Sequence, residues 1–172
     1  MFNLQLFAAE AVQGKKIVYL FRVYGDTSAA AAMAFTTENE RSKSKDADVT
    51  ATKDGSIRTP GAAEVEISAT AILAKGDTLA EKLEAAMDSD TLIEIWEANL
   101  EAEGSTSGTF KGTYYQGYLT EFTLTSSAEE HAEYECTFAI NGSGAKGDVT
   151  VSAEQQEVAA YVFTDTKAKT GA

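Results

Sequence analysis

The chain has 172 residues, with 27 Asp and Glu against 14 Lys and Arg, a formal net charge of −13. That balance argues against a dedicated nucleic-acid binder, which needs cationic surface to release phosphate counterions. One Cys and one His exclude an internal disulfide framework, a CxxC site and a multi-histidine metal centre. No run approaches the roughly 20 apolar residues of a membrane span, and no basic residue precedes the apolar start MFNLQLFAAE, so a soluble protein without a secretory signal is expected.

In chain order, residues 1–14 read as an N-terminal arm and residues 15–152 as one domain. Lys16 to Tyr24 is rich in β-branched and aromatic residues and stops at Gly25-Asp26, a strand signature. Residues 36–60 are almost purely polar, yet Asp48 to Thr52 alternates like a strand and Lys53-Asp54-Gly55 is a hairpin turn signal. A polar hairpin of this length has too few apolar side chains to pack on its own domain, so it is either a solvated or an interaction arm. Val65, Ile67, Ala69, Ala71 and Leu73 share one face of the next strand, with Glu64, Glu66, Ser68 and Thr70 on the other.

Thr78-Leu79-Ala80-Glu81 fits a capping box with Thr78 as the cap. Leu79, Leu83, Ala86 and Met87 then form one apolar stripe. The spacing predicts a helix over 78–88 that packs on a sheet through Leu79, Leu83 and Met87. Leu92 to Leu100 reads as a strand, although LIEIWEANL also suits an extended helix. Phe110, Tyr114, Tyr118, Phe122 and Leu124 are expected to share an inward face, with Glu121 opposite. Tyr134, Cys136, Phe138 and Ile140 repeat the pattern, with Glu133 and Glu135 outside. After the turn Asn141-Gly142-Ser143-Gly144, Asp148 to Ser152 reads as a short strand. The Ala-rich residues 153–172 form a C-terminal arm. The expected class is mainly β (α+β), antiparallel.

The inventory of reactive groups offers nothing for catalysis. His131 stands among Glu129, Glu130 and Glu133 with no GxSxG elbow nearby, and Cys136 falls on an apolar strand face. Asp46-Ala47-Asp48 is too short for a calcium loop. Gly142-Ser143-Gly144 lacks the following helix of a phosphate loop. No enzyme, cofactor or metal site is expected. Charge is also segregated: residues 15–60 hold 8 basic and 6 acidic side chains, residues 61–140 hold 3 and 16. One copy's basic part can therefore meet another copy's acidic part.

Read together, several stretches resemble the major tail (tail tube) proteins of long non-contractile-tailed phages, the siphophages, of Gram-positive hosts. They are Phe21-Arg22-Val23, Phe35-Thr36-Thr37-Glu38-Asn39 with the Ser/Lys-rich arm after it, and Thr52-Lys53-Asp54-Gly55. Then come the helix with Leu79 and Leu83, Leu92-Ile93-Glu94-Ile95-Trp96, Tyr115-Gln116-Gly117-Tyr118-Leu119 and Phe138-Ala139-Ile140-Asn141-Gly142. The resemblance covers roughly residues 16–152. It implies an antiparallel β-sandwich of two sheets with a flanking helix, an architecture similar to type VI secretion tubes.

It further implies that six copies form a ring and rings stack into a tube that conducts the genome into the host. A long hairpin and terminal arms reach between rings. Implied partners are further copies of the chain, a tape-measure protein and tail-tip and tail-terminator proteins, with duplex DNA passing through the lumen unbound and no membrane involved. The implied location is the virion tail, after assembly in the host cytoplasm. On this reading Arg41, Lys43, Lys45 and Lys53 make the inter-ring contact, and Glu64, Glu66, Glu121, Glu133 and Glu135 line the lumen or the inter-ring surface. The competing reading is a monomeric immunoglobulin-like binding or decoration module, whose strands and turns would look alike.

Overall fold

The period-two segments fold as seven antiparallel strands in a computed structural model that describes residues 11–160. They are β1 (Ile17–Val23), β2 (Thr36–Thr52), β3 (Gly55–Ile72), β4 (Ile93–Glu103), β5 (Thr109–Thr125), β6 (Glu133–Ile140) and β7 (Ala145–Thr150). Two α-helices, α1 (Thr78–Asp88) and α2 (Ala153–Ala160), and a short 3-10 turn at Gly14–Lys16 complete the described elements. Residues 1–10 of the expected N-terminal arm and 161–172 of the C-terminal arm lie outside the described residues. Residues 153–160 of the latter are helical, and Gln155 Nε2 donates to the Ala30 carbonyl at 3.1 Å.

Hydrogen bonding runs in the order β1-β4-β5-β6-β3-β2, with β7 on β5. The expected sandwich therefore has two facing leaves that are not separate sheets, because β5 belongs to both. Its first half pairs with β4 and β7, its second half with β6. Gly117 marks the transfer, opposite Ile93 on one side and Ile140 on the other. A Cβ there would collide with the Ala139 carbonyl oxygen, so the crossover requires glycine.

Curling of the sheet brings distant strands together. Phe21 on β1 and Phe138 on β6 are three strand steps apart, about 14 Å in a flat sheet, yet their rings stack at 5.3 Å. The interior holds Phe21, Ile67, Ile93, Ile95, Tyr134 and Phe138, all essentially inaccessible. Hydrophobic burial of such side chains contributes about 1.5–3 kcal/mol each. A smaller cluster on the outer side of the first leaf gathers Leu20, Ala98, Val149 and Val151.

Helix α1 closes one end of this interior. Leu83 and Ala86 are buried there with Ala80, and Leu79 and Met87 pack half-buried against the same cluster. Its cap is Asp77 rather than Thr78: the Asp77 carboxylate accepts from the Leu79 and Ala80 amides, both at 3.1 Å. The helix starts one residue earlier than the capping box assumed. A carboxylate is also the stronger acceptor for the positive end of the helix. The other Asp77 oxygen accepts from the Tyr134 hydroxyl at 3.3 Å, tying the cap to β6.

Strand β4 resolves the helix-or-strand ambiguity of LIEIWEANL in favour of a strand. The face expected for β5 is corrected. Tyr115 and Leu119 point inward, Tyr118 is 43% exposed and Leu124 is 55% exposed. Tyr114 packs on Trp96 at the outer side of the first leaf, ring centroids 5.2 Å apart. The register shifts between Leu119 and Glu121, so Thr120 is an extra residue. A bulge of this kind reverses the alternation, and Phe122 beyond it packs inward on Tyr134.

Cys136 is fully buried, and burial pushes its thiol up to about 12. An aromatic disulfide reagent should therefore leave the native protein unmodified and titrate one thiol after denaturation. Rapid native reaction would show that β6 opens.

Candidate functional site

Two features stand out from the ordinary packing: an acidic sheet face and a long two-stranded arm. The face is the outer side of the second leaf. Registry places Glu38, Glu40, Ser42 and Ser44 on β2 opposite Thr70, Ser68, Glu66 and Glu64 on β3. The row continues through Glu133, Glu135, Thr137 and Ala139 on β6 to Tyr118, Glu121, Thr123 and Thr125 on β5.

Seven glutamates thus share one face with no Lys or Arg, and none forms an ion pair among the described residues. Each stands opposite Ser, Thr or Ala, with Ile72 also beside Glu133, and never opposite another Glu. That spacing avoids the penalty of like charges in direct cross-strand pairs while keeping the face uniformly negative. The five residues Glu64, Glu66, Glu121, Glu133 and Glu135 come together here. Glu38 and Glu40 complete the set; the polar run around them hid their strand alternation.

The arm begins where β3 loses β6 as a neighbour, beyond the Val65–Ile140 pair. From Ser44 to Thr52, β2 continues with β3 alone as its partner, a ribbon of about 30 Å at strand rise. Its root is kinked, because the register shifts between Lys45 and Ala47, where Gly61 and Ala62 oppose Asp46. Lys43 and Lys45 follow Arg41 on the side continuous with the interior; Ser44 and Glu64 continue the acidic side. Lys43, Lys45 and Lys53 are exposed and have no carboxylate partner among the described residues.

Arg41 behaves differently. Its Nε donates to Glu97 Oε2 at 2.7 Å, and the Tyr19 hydroxyl donates to the same oxygen at 2.7 Å. Glu97 on β4 is four strand steps from β2, about 19 Å in a flat sheet, so this pair clasps the two leaves at the root of the arm. Arg41 is engaged within its own chain.

The two ends of β3 differ in charge: residues 43–58 hold four basic and three acidic side chains, whereas residues 77–90 hold one basic and five acidic. Its first residues form the arm with Lys43, Lys45, Lys53 and Arg58 nearby. Its last residue leads within a few positions to α1, whose exposed Glu81, Glu84 and Asp88 are followed by Asp90. At 18 residues, β3 separates these ends by roughly 60 Å.

Elsewhere the ion pairs brace the first leaf. Arg22 Nε donates to Glu94 Oε2 at 2.8 Å and its guanidinium lies 5.0 Å from the Trp96 ring. Burial alone would raise the Glu94 carboxyl, but bonds from Arg22 and Tyr114 outweigh it and lower it. Asp148 is held far below the usual carboxylate range by Lys111 and then by Ser105, and Asp26 by Lys82 and then by Ser28. A depressed folded-state pKa stabilises above the unfolded value near 3.9 and is lost as pH falls. The urea midpoint should therefore drop as pH is lowered from about 5 to 3, and Asp148→Asn should lower the midpoint at pH 7 while flattening that acid limb. An unchanged limb would refute the assignment.

Among the described residues no cluster of His, Cys, Asp and Glu could hold a metal ion, and no helix is long and apolar enough to cross a membrane.

A family model described as phage tail tube protein matches residues 11–146. A tail protein of Staphylococcus phage phiMR25 is 33% identical over 154 residues, covering 87% of this chain and 80% of that protein. Among solved structures, the SPP1 tail tube superposes with a TM-score of 0.72 at 16% identity, over 94% of this chain and 95% of that one. The tail of an empty gene transfer agent particle, refined with C6 symmetry, gives 0.62 at 15% identity, over 78% and 98%.

Proposed function

Because the chain belongs to the phage tail tube protein family, and so is a structural protein of the virion tail, we propose that it polymerises as stacked six-membered rings enclosing the passage for the genome. The observation that carries this reading is the seven-glutamate face without a cation. Lining a bore, it repels phosphate, so duplex DNA slides through without specific binding; at physiological salt the effect extends about 8 Å from the wall. The C6 symmetry of the gene transfer agent tail supports the count of six.

Stacking is head to tail. The arm of one ring, through Lys43, Lys45 and Lys53, meets the α1 end of a copy in the next, through Glu84, Asp88 and Asp90. Such a contact is heterologous and propagates as a filament. Each exposed pair contributes only about 0.2–1 kcal/mol, so the contact works by repetition around the ring. Arg41 holds the arm's root on Glu97. Within the ring, strand edges pair across subunits, which removes the hazard of open edges. A tape-measure protein sets the length, tail-tip and terminator proteins close the ends, and assembly takes place in the host cytoplasm. The chain acts without catalysis.

Negative-stain microscopy of the concentrated protein, repeated in the presence of the tail-tip complex and tape-measure protein, tests this reading. Hollow tubes of sixfold symmetry are expected. A monomer that persists with both partners would overturn it.

A further inference from the structure

A groove of about 800 Å³ runs along the outer edge of β1, between Val18–Leu20 on one wall and Phe35–Asn39 on the other, with Met33 at its base. Its backbone is half-used. Phe21 exchanges both hydrogen bonds with Ala31, at 2.8 and 3.0 Å, so its N–H and C=O face away from β4. Alternation turns those of Tyr19 the same way, and no backbone partner meets them among the described residues. On the facing wall, Asn39 Oδ1 is buried without a hydrogen-bond partner among the described residues. Buried polar groups are seldom left so. An apolar groove flanked by an open strand edge and an orphan acceptor has the chemistry of a site for an extended peptide.

The sequence supplies one. Phe2, Leu4 and Leu6 alternate with Asn3 and Gln5, the pattern of a strand apolar on a single face. Gly14 and Lys15 stand at the groove, so the segment is tethered within about 25 Å of it. A tether that short gives an effective concentration in the millimolar range. We propose that residues 2–7 dock in this groove of their own chain, pairing with the β1 edge at Tyr19. Phe2, Leu4 and Leu6 enter the groove, and a backbone N–H of the segment satisfies Asn39. This inference concerns the single chain and stands apart from how copies assemble.

The test uses the full chain, isotope-labelled and carrying a nitroxide at Gln5→Cys, diluted into unlabelled protein. Cys136 is buried, so the label reaches only the introduced thiol. Broadening of the Tyr19, Leu20, Met33 and Asn39 amide signals is expected, with its loss when Leu4→Asp and Leu6→Asp are added. Absence of broadening, its survival in the Asp variant, or broadening only between differently labelled chains would each overturn the proposal.

Discussion

Replacing Phe138 with alanine should destabilise the fold by about 3–5 kcal/mol, the range for a fully buried aromatic. Phe138 is inaccessible to solvent, stacks on Phe21 of the facing leaf and stands between Ile67 and Leu119 on the neighbouring strands. The cavity left by its loss opens both leaves at once, and Phe21 loses a stacking partner that contributes about 0.5–1.5 kcal/mol beyond burial. Against a total stability of about 5–15 kcal/mol, that is a large fraction. For a chain of this length the melting temperature should fall by roughly 6–20 °C, read by circular dichroism. Phe138→Leu should cost much less. A fall of only a degree or two for the alanine variant would mean that the leaves are not held together through this pair.

Replacing residues 46–62 with an Asn-Gly turn should leave the fold and the rings intact and abolish tubes. The excised ribbon pairs only with itself, and the core begins at Val65, so the shortened hairpin has the turn chemistry it needs. Melting temperature should stay near that of the parent while microscopy shows rings without stacks. Full-length tubes from this variant would remove the arm from the stacking contact. A charge exchange sharpens the point: Lys43→Glu with Lys45→Glu should block stacking, and Glu84→Lys with Asp88→Lys in the same chain should restore it. Because exposed pairs act weakly and are screened, the restored stacks should be the more salt-sensitive.

Much of this was legible in the residues themselves. The strict alternation of Val65 to Ala71 and of Tyr134 to Phe138 reads directly as inward faces, because each strand is half-buried. The stripe Leu79, Leu83, Met87 marks the helix for the same reason. The arm was legible through its lack of apolar side chains.

What escaped the sequence depends on pairing. One extra residue at Thr120 turned the inward face of β5 from Tyr118 to Leu119, and nothing in the composition announces a bulge. The acidic face was only partly visible. Glu64, Glu66, Glu121, Glu133 and Glu135 alternate within apolar strands, whereas Glu38 and Glu40 lie in a run without apolar positions to fix their phase. Arg41 looked like its neighbours Lys43 and Lys45. Its engagement follows from the curl that brings Glu97 to it, a long-range consequence of strand order. The family match excludes the immunoglobulin-like module, a distinction that alternation alone could not make.

Strand β3 has a mechanical consequence. It is continuous over 18 residues, from the arm's turn to the centre of the second leaf, where eight of its residues pair with β6 while β2 flanks its other edge. A tug on the arm tip is directed along that strand. It loads the β3–β6 ladder in shear, with all eight pairs resisting together, and cannot peel them apart one at a time. Tension in a bending tail would thus be shared over the body of each subunit, leaving the kinked root at Gly61 as the compliant joint.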